Sequence, residues 1–243
     1  MRAGERIEAR PLADVDWAEL DLTDLTLVDC AIEDGAFAGT ILSGARFERC
    51  RLIRCRFSHA DLREAVFEDC QFADHASRTG ASFAFSRLDE ARFSRCELIY
   101  ARFEGTELHG VRMQDCNLLG AVFARCSFAR SYGRKLERFA ATLMDCNLEL
   151  ADLSGVRLPG CELARSRLRE TDLSGADLEG ADLTGADLFQ AILDGARLAG
   201  ADLQGAEVSG LDLRRLATYA DLKIAPDQQF RLLDAMGVDV RPQ

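Results

Sequence analysis

Residues 171–188 decide the fold: Thr171-Asp172-Leu173-Ser174-Gly175-Ala176-Asp177-Leu178-Glu179-Gly180-Ala181-Asp182-Leu183-Thr184-Gly185-Ala186-Asp187-Leu188. A leucine returns every five residues, a small residue precedes it by two, and an aspartate lies between them. A period of five fits neither a helix at 3.6 nor a strand at 2. In extended chain, positions two apart point the same way. Thr171 and Leu173 therefore share one interior, while Asp172 points out. The two residues after each leucine are small or polar, which suits a corner. Three extended residues and a corner make one side of a polygon, and identical sides coil the chain into a parallel β-solenoid.

The beat extends in both directions from this stretch. Its large apolar centres run from Leu22 to Phe72, from Phe83 to Phe128 one residue out of phase, and from Leu143 to Leu213. The unit, quoted as Ala151-Asp152-Leu153-Ser154-Gly155 and Ala181-Asp182-Leu183-Thr184-Gly185, resembles the A-(D/N)-L-x-x motif of pentapeptide-repeat proteins. The resemblance implies an all-β fold, a right-handed quadrilateral parallel β-helix with four repeats per coil. Nine coils at roughly 4.8 Å each would make a rod on the order of 43 Å long.

Composition adds bounds. A chain of 243 residues carrying one continuous repeat is expected to be a single solenoid. No signal peptide or apolar run of transmembrane length is visible, so the expectation is a cytoplasmic protein with no membrane partner. Each of the nine cysteines lies two residues before a centre, in the inward slot that alanine fills elsewhere. With no CxxC pair, and no histidine at metal-site spacing, neither a metal nor a cofactor is expected. Phe83, Phe103 and Phe123 should stack in one column, and Phe37 with Phe57 in another.

The beat breaks twice, around 75–80 (His75 to Gly80) and over 131–140 (Ser131 to Ala140). Loops on a rigid scaffold commonly carry function. The longer one combines Arg130, Arg134, Lys135 and Arg138 with the apolar Tyr132, Leu136 and Phe139, residue classes that dominate interfaces. Residues 1–20 read as an N-terminal cap or degenerate first coil, and 21–215 as the solenoid. In the tail, 216–243, Pro226 suits a helical first turn, Phe230, Leu233 and Met236 share one face, and Gly237 ends it.

Net charge is −11, and the stretch 170–212 holds ten acids against Arg197 alone. With a twenty-residue coil, Glu162, Asp182 and Asp202 form one outward column, and Asp152 and Asp172 begin another. Two readings stand open. The aspartates are the generic turn residues of the repeat, bonded to their own backbone. Alternatively, the acidic columns imitate a nucleic-acid phosphate backbone and occupy a basic DNA-binding channel. Either way, acidity argues against direct nucleic-acid binding.

Three features together resemble one branch, the Qnr-type proteins that protect DNA gyrase and topoisomerase IV from quinolones. The shorter interruption lies nearer the N-terminus. The longer loop follows Cys126-Ser127-Phe128 and rejoins at Ala141-Thr142-Leu143. The run Leu211-Asp212-Leu213-Arg214-Arg215 through Leu232-Leu233-Asp234-Ala235-Met236-Gly237-Val238 looks like the tail that makes the homodimer. The resemblance implies a partner loop of Tyr132, Arg134, Lys135, Leu136, Arg138 and Phe139, and a secondary loop of His75, Arg78 and Thr79. It also implies a dimer seam of Phe230, Leu233 and Met236. The rival expectation is a scaffold with no topoisomerase partner. An enzyme is not expected: there is no glycine-rich phosphate loop, paired Cys–His nucleophile or H-x-x-x-H helix.

Overall fold

The computed structural model describes residues 1–13, 15–133 and 136–239. Arg134 and Lys135 therefore lie outside the described residues. The chain winds as a right-handed β-helix in which each side supplies at most a few strand residues. The longest row of strands is β1 (Arg6–Glu8), β2 (Thr26–Val28), β4 (Arg46–Glu48), β6 (Val66–Glu68), β7 (Arg92–Ser94), β8 (Val111–Gln114) and β11 (Ala141–Met144). All pair in parallel, with β3 (Ala31–Glu33) on β5 (Arg51–Ile53) on the next side. Elsewhere the sides are single bridges, such as Asp152↔Asp172 and Asp182↔Asp202. A strand this short persists because both neighbours bond to it. Leu173 donates to the Ile192 carbonyl one coil on, and Ile192 donates back to that of Thr171.

The inward positions form one continuous core, and the main row of centres reads Ile7, Leu27, Phe47, Phe67, Phe93, Met113 and Leu143. It begins within residues 1–20, which the sequence reads as a cap or a degenerate first coil. Ile7, Leu12 and Trp17 are buried, and β1 pairs fully with β2, so residues 6–20 make a working coil despite their poor motifs. Packing of the centres suffices to close a turn even where Glu5, Arg10 and Val15 replace the small residue two before each one.

The aromatic columns also differ from expectation. Trp17, Phe37, Phe57, Phe83, Phe103 and Phe123 form a single stack, with centroid spacings of 4.8, 4.5, 5.1, 5.0 and 4.7 Å. The two anticipated columns are one, because the six extra residues of the first loop leave and re-enter at the same corner. Phe57 donates its amide to the Ser82 carbonyl across that gap. A second stack joins Phe47, Phe67 and Phe93.

Six cysteines form their own row, Cys30, Cys50, Cys70, Cys96, Cys116 and Cys146, on successive coils. All are free and buried, with thiols donating to carbonyls such as that of Phe67, 3.3 Å from Cys96 Sγ. Burial pushes the Cys55 and Cys161 thiols up to about 12, which leaves them unreactive packing groups. Among the described residues no group of His, Cys, Asp and Glu is placed to hold a metal ion, and no helix is long and apolar enough to cross a membrane.

Corners carry the left-handed residue that a tight turn requires. In the second half it is often glycine, as at Gly155 and Gly175; in the first it is often charged, as at Asp29 and Arg49. Asp29 and Arg49 then pair across coils at 2.8 Å, as do Asp34 with Arg54, and Asp145 pairs with Arg165 at 2.7 Å.

At the C-terminal end the chain leaves the repeat through two 3-10 turns, Leu213–Arg215 and Pro226–Gln228, into the seven-residue helix α1 (Gln229–Ala235). Gln228, buried, donates from Nε2 to the carbonyls of Leu203 and Ala206 and accepts from the Ala225 amide at Oε1. It satisfies carbonyls at the open end of the rod, and the buried Leu232 covers the last coil beside it.

Candidate protein-interaction surfaces

The second interruption is a β-hairpin. Its strands β9 (Ala129–Tyr132) and β10 (Leu136–Phe139) pair antiparallel, setting Tyr132 opposite Leu136 and Ala129 opposite Phe139. Antiparallel pairing satisfies the backbone of the excursion internally, so it projects from a parallel wall without using the wall's hydrogen bonds. Tyr132 and Leu136 are each half exposed, and the Arg138 guanidinium lies 5.8 Å from the Tyr132 ring centroid. These three form the outward tip.

Phe139 does not join them. It sits at the base, partly buried against the core, with the Arg157 guanidinium 4.6 Å from its ring centroid. It anchors the hairpin rather than presenting to a partner. Arg157 also reaches Glu137 at 3.2 Å, so one rod residue clamps the second strand twice. The first strand is tied by Arg130, whose Nη2 donates to Asp89 at 3.4 Å, with Glu90 at 3.9 Å. Two of the loop's charges, Arg130 and Glu137, thus serve attachment, a role that no motif in the sequence signals. Beneath them His109 is buried with neither ring nitrogen bonded, and Asp89 keeps one free oxygen. Burial first, then the Arg130 charge, lowers the His109 pKa from its ordinary 6.5.

The first interruption is smaller and tighter. Asp74 and Thr79 close it by an antiparallel bridge. Asp74 accepts from the Ala76 amide at 3.0 Å and, through its other oxygen, from Arg54, also at 3.0 Å. Bonding to Ser77 and then Arg54 holds this carboxyl down to about 2. His75 Nε2 lies 2.8 Å from Glu97, which fixes the ring back onto the rod. Arg78 stays exposed at the edge, in left-handed backbone.

The acidic residues stand in rows. Glu162, Asp182 and Asp202 occupy successive coils on one side, and Asp152 and Asp172 on another. Neighbours in a row are roughly 5 Å apart, a repulsion of about 1 kcal/mol per pair in water. Each aspartate also accepts from the amide two residues on, as from Ser154, Ser174, Thr184 and Gln204. Both readings of these residues therefore have physical content: the carboxylates brace their turns and still line up as ordered negative charge. In the tail, Phe230 is more than half exposed, with Leu233 and Met236 half-buried, whereas the inward anchors Leu232 and Gln228 went unnoticed in the sequence. Pro226, Phe230, Leu233 and Met236 carry a helical signal, but nothing in it says which face meets the rod.

The sequence signature of pentapeptide repeats matches in eight copies over residues 36–72, 79–115, 146–185 and 181–215. This covers more than half of the chain, which belongs to the pentapeptide-repeat family. Within it the chain is Qnr-like. It is similar to full-length QnrB1, a plasmid-mediated fluoroquinolone resistance protein, at 26% identity and TM-score 0.79 over 96% of this chain and 100% of that one. Two trypsin-treated variants of QnrB1 match at 28% and 29% identity, with TM-scores of 0.79 and 0.77, covering 89% and 90% of this chain and 100% of theirs. A search by sequence among curated proteins gives no match.

Proposed function

We propose that this protein binds a type II topoisomerase, DNA gyrase or topoisomerase IV, and protects it from quinolones or other poisons of the cleavage complex. The observation that carries the reading is the similarity to a fluoroquinolone resistance protein over 96% of this chain and 100% of that one. The hairpin tip of Tyr132, Leu136 and Arg138, with Arg134 and Lys135 between its strands, engages the enzyme. Phe139 holds the hairpin in place, and His75, Arg78 and Thr79 make the secondary contact. The acidic rows from Asp152 to Asp202 act as a DNA mimic, facing the basic channel that otherwise holds duplex. Phe230, Leu233 and Met236 pair two rods through their tails, since a seven-residue helix with an exposed apolar face is too short to stand alone.

The test is a gyrase supercoiling assay with a quinolone or a peptide toxin, run with and without the protein. Restored supercoiling that depends on residues 131–139 supports the reading. No rescue with any poison, together with no binding to gyrase or topoisomerase IV, sinks it and favours a scaffold with other partners.

A further inference from the structure

A cavity of about 520 Å³ opens on one side of the rod at the foot of the first loop. Its floor is the row Arg56↔Ser82↔Arg102↔Val122, and its rims are Arg78 of the loop and the Tyr100 corner. Rungs are roughly 4.8 Å apart, so Arg56 and Arg102 stand about 10 Å apart along the rod, with the Ser82 hydroxyl midway. Arg54, on the same rim, is neutralised by Asp34 at 2.8 Å and Asp74 at 3.0 Å. Arg56, Arg78 and Arg102 have no ion pair or side-chain hydrogen bond with any other described residue. Three guanidiniums without a direct partner line one concave site, where the lining carboxylate, Asp34, is bound by Arg54 and reaches Arg56 only through space.

The chemistry of the site selects its ligand. Guanidinium forks bind phosphate oxygens in pairs, with a geometry lysine lacks. Two forks two rungs apart, with a hydroxyl at the midpoint, match a linear chain of phosphates better than a single tetrahedral ion. The volume is that of a small-molecule site. A duplex is too broad for it, and the field of the whole chain repels an extended polyanion. We propose that the groove of Arg56, Ser82, Arg102 and Arg78 binds an oligophosphate chain, either free inorganic polyphosphate or the phosphate tail of a nucleotide. The inference stands whether or not the protein's partner is a topoisomerase.

The experiment is isothermal titration of the full chain, at about 50 mM salt with chelator present, against sodium tripolyphosphate, ATP and AMP. Tripolyphosphate and ATP should each saturate one site, and AMP should bind at least about tenfold more weakly, since one phosphate engages one fork. Equal affinities for tripolyphosphate and ATP assign the site to the phosphate chain alone, and tighter ATP assigns it to a nucleotide. The Arg56→Gln/Arg102→Gln double variant should weaken both ligands by about tenfold or more. Arg46→Gln/Arg92→Gln, on the opposite side of the rod, should leave them unchanged. If the first double variant fails to fold, Arg78→Gln on the loop rim carries the same expectation of loss. Absence of saturable binding at millimolar ligand, or equal weakening by both double variants, overturns the proposal.

Discussion

Replacing Arg157 with alanine should loosen the hairpin without harming the rod. Arg157 makes an exposed ion pair with Glu137 at 3.2 Å, worth about 0.2–1 kcal/mol, and covers Phe139 at 4.6 Å, worth about 0.5–1 kcal/mol at an exposed site. Together these hold the second strand by about 0.7–2 kcal/mol, so their loss raises the open fraction about 3- to 30-fold. Amide exchange followed by mass spectrometry reads this directly. Peptides covering Ala129–Phe139 should exchange faster by that factor, and peptides covering Phe83–Phe123 should not change. Lysine at 157 keeps the charge but loses most of the flat contact with the ring, so it should fall between wild type and alanine. Unchanged exchange across 129–139 in the alanine variant would refute the clamp. Acceleration throughout the rod would show instead that Arg157 supports the wall.

Other expectations follow from the same geometry. Phe103→Ala, which empties a buried slot stacked between Phe83 and Phe123, should cost about 3–5 kcal/mol in chemical denaturation, followed through the single tryptophan, Trp17, at the far end of the stack. An unmoved midpoint would place Phe103 outside the core. Gly80→Ala should destabilise by about 1–3 kcal/mol, because a Cβ there would meet the backbone of Ile99 and Tyr100 at 2.4 Å; a thermal melt equal to wild type would contradict that close approach. His109 has a lowered pKa in the fold, so the unfolded chain takes the proton first. Its contribution is therefore complete above about pH 6.5 and is lost as pH falls below that value. Denaturation at pH 7 and pH 5.5 should show this fall, and His109→Gln should remove it; an identical pH slope in both proteins would clear His109. Deleting residues 131–139 should leave the far-ultraviolet spectrum intact while abolishing rescue of a poisoned topoisomerase, and full rescue by the deletion variant would remove the hairpin from the mechanism.

The period of five was enough to orient every residue on it. It placed the cysteines inward, the aspartates outward and the phenylalanines in stacks, because facing is a local property of extended chain. It said nothing about the interruptions, where no period operates. The sequence could not show that the first loop returns to its own corner, which merges two aromatic columns into one. Nor could it show that Phe139 turns back to the rod while Tyr132 and Leu136 turn away, since alternation within a hairpin depends on where its strands begin. The weak motifs around Trp17 understated the first coil for the opposite reason. They lack the small inward residue two before each centre, where Glu5, Arg10 and Val15 stand instead, and the large centres close the coil without it. At the tail, Leu232 and Gln228 are not legible in the sequence because an amphipathic turn has two faces with apolar residues, Phe230 on one and Leu232 on the other, and only the neighbouring coil chooses between them.

Both excursions leave and rejoin the wall at a fixed place, and the stack from Trp17 to Phe123 runs past the first without a gap. The packing that holds the rod is therefore written in a separate part of the chain from the excursions. Either excursion can lengthen, shorten or be exchanged while the core below it stays in register. A new segment can be grafted between Phe128 and Ala141 as onto a standard socket.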